Sequence, residues 1–394
     1  MKIIGWELKK ILSDRVLWVL LAVCVTIQSC LLCGNLDQRG TLRWWNDLIG
    51  RTGATVTGES LEELRAYSNT EQECIKAGRT PQWASHSYQA ADQLDSLGSL
   101  IEEASGKLQS SQDFLSESLL PANGEDTALE CHRDGDIRMR AAQANLSGEA
   151  HYFSAGEFFP GRATLFPTLI LFFYLEVMLI SAYITSRSAS LEFADGAQQL
   201  VYTCRRGRRL QRDKLAACLI AITFLYLIGA ILLLGGYLLL YPQWNFLSVP
   251  YSADPFASGL SRFPVSFLGY ILLHLGLGFL IVLVTAVLMF GLTAWGRNPM
   301  LGIAGFLAAG VAMMMTGGIT HPTPALIAVN PISLLIAVNP ITREVSLNVA
   351  NWFCYTGRAL DLPHVEWITA LLWGIAAALL CAVMIRGFRK REVV

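Results

Sequence analysis

Six long apolar runs limit this chain more than any other feature: residues 16–33, 164–184, 215–241, 265–295, 300–319 and 367–385 carry almost no charge. A helix rises about 1.5 Å per residue, so each run can cross a hydrocarbon core of roughly 30 Å. The fourth run is longer than needed and is expected to tilt or protrude. A chain of 394 residues that is 53% hydrophobic and 15% charged cannot hide so much apolar surface in soluble domains. The expectation is an all-α integral membrane protein with six transmembrane helices and a helical extracytoplasmic domain between the first and second.

A formal charge of −1 conceals a segregation: residues 34–164 hold a balance of −9 and the rest of the chain +8. With the N-terminus inside, sixteen Lys and Arg fall on inner segments, from Lys2 through the cluster between Arg187 and Lys214 to Arg391. The two shorter outer loops offer only Arg262, Arg343 and Arg358. Positive charge is retained on the cytoplasmic side, so both termini are expected there, in a multi-pass protein of the cytoplasmic membrane. The division that follows is an interfacial N-terminal helix at 1–15, a span at 16–33, the extracytoplasmic domain at 34–163 and a span at 164–184. A cytoplasmic loop at 185–214 precedes three spans within 215–319, an outer loop at 320–366, and the last span with its basic tail at 367–394.

In the first segment, Ile4, Leu8, Ile11 and Leu12 share a helical face away from most of the lysines, as in a helix lying in the membrane interface. The first run is basic at its front and ends in Cys33, but Leu32 is too bulky for a cleavage site, so the run reads as a retained anchor. Within the acidic block, Ala90, Leu94, Leu97, Ile101, Ala104, Leu108 and Leu115 form a narrow apolar seam, with shorter helical stretches near 60–77 and 136–146. Cys74 and Cys131 lie in this block, and either a disulfide or two separate thiols fits their spacing. The outer loop nearly repeats itself, Leu326-Ile327-Ala328-Val329-Asn330-Pro331 and then Leu335-Ile336-Ala337-Val338-Asn339-Pro340. Proline in each short copy favours a re-entrant or interfacial element over a seventh span.

Chemistry-bearing motifs are few. The chain lacks G-x-x-x-x-G-K-[ST], H-E-x-x-H and G-x-S-x-G, and its six histidines are scattered, so neither ATP hydrolysis, a metal site nor an enzyme activity is expected. Glu176 falls near the middle of the second run, where an ionised carboxylate costs roughly 2.5 to 3.5 kcal/mol on insertion scales, and His274 lies at a similar depth in the fourth. Either the two line a cavity or pair across helices, or Glu176 is protonated and bonded locally. Gly276, Gly278, Gly302, Gly305 and Gly310 suit close helix packing.

The loop after the second run says more. Glu192 and Gly196 stand one helical turn apart, Leu200 one turn further, and a basic turn containing Gly207, Arg208 and Arg209 leads through Lys214 into the third run. This layout resembles the membrane subunits (permeases) of type-2 ABC transporters, in which a loop after the second span carries Glu, Gly, Leu, a Gly-Arg turn and Lys. Ala197 departs from the Thr common there. The resemblance implies a coupling helix docked on a separate ABC ATPase subunit, with Glu192, Gly196, Leu200, Arg208 and Arg209 at the contact or hinge, and a second permease copy or related permease as partner. It implies an exporter without a cofactor in this chain, working in the lipid bilayer and not on nucleic acid. Leu146-Ser147-Gly148-Glu149 spells an ATPase signature but lies in the outer block with no nucleotide fold around it. A membrane sensor or immunity protein, whose outer domain binds a peptide or envelope component, is the alternative, and the substrate is not legible. The topology makes a prediction: a membrane-impermeant thiol reagent should leave Cys204 unlabelled in intact cells and label it after permeabilisation.

Overall fold

The computed structural model describes residues 2–34, 36, 39–53, 55–81, 90, 91, 94, 95, 97–99, 101, 102, 105, 151, 152, 165–194, 196, 207–249, 266–296, 298–300, 303–305, 307, 308 and 365–390. Helices dominate: α1 (Lys2–Leu12), α2 (Arg15–Cys33), α3 (Arg39–Thr52), α4 (Gly58–Lys76), α5 (Leu171–Ala194), α6 (Gly207–Leu240), α7 (Phe267–Gly296) and α8 (Val365–Lys390). A π-helical turn, Leu165–Ile170, leads into α5, and a 3-10 turn, Trp244–Phe246, follows α6. Two-residue strands β1 (Thr55–Val56) and β2 (His151–Tyr152) pair antiparallel, Thr55 opposite Tyr152.

Four of these helices are long and apolar enough to cross a membrane: Arg15–Cys33, Thr168–Glu192, Leu210–Leu240 and Phe267–Gly296. They mark a membrane-embedded protein. The sixth apolar run lies within α8, whose described apolar part, Leu371–Val383, is shorter than those four. Most of the run at 300–319, the repeat at 326–340, the helical stretch at 136–146 and the segment 146–149 lie outside the described residues.

Helix ends differ from the hydropathy boundaries. The second run was expected to give way to a loop at 185, yet α5 continues to Ala194; likewise α6 begins at Gly207, ahead of the apolar stretch from 215. In the α5 extension the hydroxyls bond back along their own helix, Thr185 Oγ1 to the Ser181 carbonyl at 2.7 Å and Ser190 Oγ to that of Ser186 at 2.8 Å. Hydropathy registers the apolar part of a helix and is blind to such a polar continuation.

The chain divides into two compact units, 1–33 with 166–235 and 274–394, and 34–165 with 236–273. The second unit is built on α3 and α4. Leu42, Trp45 and Ile49 recur at helical spacing on α3, and all are buried. Trp44, Trp45, Leu48 and Ile49 form one cluster with Leu61 and Leu64 of α4, Leu94, Leu97 and Ile101, and Phe246 and Val249. Of the seam read from the sequence, Ala90, Leu94, Leu97 and Ile101 are buried, while Ala104, Leu108 and Leu115 lie outside the described residues.

Thr57 starts α4 with a reciprocal cap: its Oγ1 accepts the Ser60 N–H at 3.1 Å, and Ser60 Oγ accepts the Thr57 N–H at 2.8 Å. Trp44 Nε1 donates to Tyr67 Oη at 2.6 Å, and burial holds the Tyr67 phenol above its usual pKa.

The turn after α6 belongs to this unit through two asparagines. Asn46 Oδ1 accepts the Asn245 N–H at 3.0 Å, and Asn245 Nδ2 donates to the Asn46 carbonyl at 2.8 Å. A Cβ on Gly50 would come within 2.5 Å of Asn245 Nδ2, so this side chain occupies the space that a glycine leaves. Gly50→Ala should therefore destabilise the protein by about 1 kcal/mol with Asn245 present and by clearly less in an Asn245→Ala background. Denaturant unfolding of the four proteins of this cycle, followed by tryptophan fluorescence, measures the coupling.

Candidate functional site

The first unit concentrates its buried polar groups at the C-terminal end of α5 and the start of α6. Lys214, on α6, is fully buried, and its Nζ reaches two acceptors on α5: the Glu192 carboxylate through Oε1, and the Ser188 carbonyl at 2.7 Å. An ammonium removed from water needs such a countercharge and acceptor, because desolvation alone would cost several kcal/mol. Around the pair the helices approach closely on small side chains, with Ala189, Ala217 and Cys218 all fully buried. Thr293 of α7 joins them by donating to Ser186 Oγ at 3.2 Å.

Beyond Glu192, α5 stops at Ala194, and Gly196 adopts φ 66° with open space where a Cβ would stand. A left-handed glycine two residues after the last helical position is a common way to end a helix. Gly196 is thus in a helix stop and not on a helix continuing from Glu192, which corrects the one-turn spacing drawn from the sequence. Arg208 and Arg209 lie in the first turn of α6, and Leu200 falls outside the described residues. The structure therefore brings Glu192 together with Lys214, which the sequence pattern had placed only as the end of the motif.

A second cluster fixes α1 and α2. Asp14 stands between them and caps α2, its Oδ1 accepting the Val16 N–H at 3.1 Å. Its Oδ2 accepts from Tyr183 Oη at 2.7 Å and pairs with Arg187 Nε at 2.8 Å, both on α5. On α1, Ile4, Leu8, Ile11 and Leu12 are half-buried, Lys9 and Lys10 are exposed, and Lys10 pairs with Glu7 at 3.2 Å. Sequence reading passed over Asp14, although Ser13-Asp14 ahead of an apolar run is a helix-start signal.

Glu176 and His274 have separate partners, so the expectation that they pair is not met. Gln28 Nε2, on α2, donates to Glu176 Oε2 at 3.1 Å. His274 lies against Tyr174, the two rings stacked at 5.6 Å between centroids. Tyr174 Oη sits 2.8 Å from both His274 Nδ1 and the His274 carbonyl. The carbonyl can only accept, so the hydroxyl donates to it and Nδ1 carries the proton that completes the contact. Close approach makes this possible: a Cβ on Gly278 would overlap the Tyr174 ring. Gly276 has open space at that position and Gly305 only ordinary contact, while Gly302 and Gly310 are outside the described residues. Cys74 lies in α4, partly exposed, and Cys131 is outside the described residues.

No family, curated protein or solved structure matches this chain, so a functional reading rests on its own residues. The Lys214 pair gives the sharpest stability test. Lys214→Met leaves Glu192 buried without its countercharge and should cost about 3 kcal/mol or more, whereas adding Glu192→Leu should restore most of the loss. Chemical unfolding of the purified variants in detergent distinguishes this from a surface pair, for which the two changes would be small and additive.

Proposed function

We propose that this chain is the permease subunit of an ABC exporter in the cytoplasmic membrane, with six spans, both termini cytoplasmic and ATP hydrolysed by a separate subunit. The observation that carries the proposal is the buried Lys214–Glu192 pair at the base of the segment between α5 and α6. A motor that acts on a loop moves the attached helices only if the loop's two ends cannot separate. The ion pair, supported by the Ser188 carbonyl, ties those ends together, and Thr293 extends the tie to α7. A push on the segment beyond Gly196 then becomes a rigid-body shift of several spans, the kind of movement that alternates access to a path between subunits.

In this reading Gly196 sets the angle at which the coupling segment leaves α5, and Arg208 and Arg209 offer charge at the start of α6 to an acidic surface of the motor. The Asp14–Arg187 pair would draw the interfacial α1 into the same movement. Two permease copies, or this chain with a related one, enclose the path, and the chain itself makes and breaks no bonds.

Co-expression with ABC ATPases encoded by neighbouring genes tests the reading. One of them should co-purify with the chain, and Gly196→Trp, or reversal of charge at Arg208 and Arg209, should abolish the complex while leaving the permease folded by size-exclusion chromatography. A chain that never retains an ATPase refutes the assignment.

A further inference from the structure

The pairing of Glu176 with Gln28 leaves one acceptor oxygen of each side chain unpartnered. Gln28 Nε2 is directed at two oxygens, Glu176 Oε2 at 3.1 Å and the Leu169 carbonyl at 3.4 Å. Both are acceptors, so the amide orientation is fixed and Gln28 Oε1 must face the other way. Gln28 Oε1 and Glu176 Oε1 are both buried and without a hydrogen-bond partner. They lie in one groove between α2, α5 and α6, whose remaining lining is mostly apolar, including Phe173, Ile222 and Leu233. Its room is about 150 Å³, enough for a group of benzene size, and Val25 and Leu232 at its edge are exposed.

Two acceptors, one of them able to carry a negative charge, call for a ligand with several N–H donors and a positive charge. The apolar lining calls for a hydrocarbon body. A carbonyl ligand has no donor for either acceptor, a hydroxyl has one donor for two acceptors and no charge for the carboxylate, and an anion would be repelled. We infer that Glu176 and Gln28 form a binding site for a lipophilic primary ammonium, the ammonium held by Glu176 Oε1 and Gln28 Oε1 and the hydrocarbon lying along the groove toward its exposed edge. That such an amine is the cargo of the exporter rests on the permease reading; the site itself does not.

The test uses the full chain in nanodiscs with no ATPase present, so its outcome is independent of whether a motor subunit associates. The probe is a long-chain primary alkylammonium with a dansyl group on its tail, compared with the matching alcohol and trimethylammonium compounds. Binding should saturate for the primary ammonium and be weaker both for the trimethylammonium compound, which has no N–H, and for the alcohol, which has one donor and no charge. Glu176→Gln keeps the shape and removes the charge, and should weaken binding by about tenfold or more; Gln28→Leu should weaken it severalfold. Ser29→Trp fills the groove from an exposed position and leaves Glu176 and Gln28 in place, so it should abolish saturable binding even if Glu176→Gln fails to fold. Equal binding of the ammonium and the alcohol, or unchanged binding in Ser29→Trp or a folded Glu176→Gln, overturns the inference. So does a Glu176→Gln protein that loses only its dimer, since Glu176 would then serve a second copy of the chain.

Discussion

Lys214 has no solvent to turn to, and much of the first unit follows from that. Its ammonium is stable only where a carboxylate and a carbonyl meet it, and both come from α5 across a separation of more than twenty residues in sequence. The attraction therefore fixes the spacing of two helix ends and carries both helices beyond the stretch that lipid alone would require. In such a position an ion pair serves geometry more than net stability, because the cost of desolvating both charges offsets much of the attraction between them. Replacing the pair by apolar groups could keep the fold, yet would lose the directional hold between α5 and α6.

The apolar runs made the helices legible, because length without charge leaves few alternatives in a chain this greasy. Four of the runs correspond to helices that can cross a bilayer, and a fifth lies in α8. The alternation around Leu94, Leu97 and Ile101 was legible for the same reason, since a narrow stripe has meaning only if something covers it. What covers it was not legible. α3 carries two adjacent tryptophans that hydropathy averages away among Arg39, Arg43, Asn46 and Asp47, and its asparagine link to the turn at Trp244–Phe246 joins residues about two hundred positions apart. No local pattern can announce such a contact.

At the candidate site the same division holds. The loop motif singled out Glu192, but a glutamate followed by arginines reads as a charged surface, and nothing local shows that its partner is a fully buried lysine. Depth along the spans suggested that Glu176 would meet His274, and depth is only one of two coordinates; rotation about the helix axis sends them to different neighbours, Gln28 and Tyr174. Gln28 drew no notice because a single amide in an apolar run is tolerated by hydropathy, although in lipid it must find a partner.

The Asp14 corner has a consequence for biogenesis. Its carboxylate caps α2 at once, using an N–H two residues away, but its other oxygen waits for Tyr183 and Arg187, which are synthesised some 170 residues later. α2 is therefore capped while α1 is still unlatched, and α1 acquires its final attitude only when α5 arrives beside it. The whole acidic block must emerge in the interval, so the orientation of the N-terminal arm is decided late, by a residue translated early.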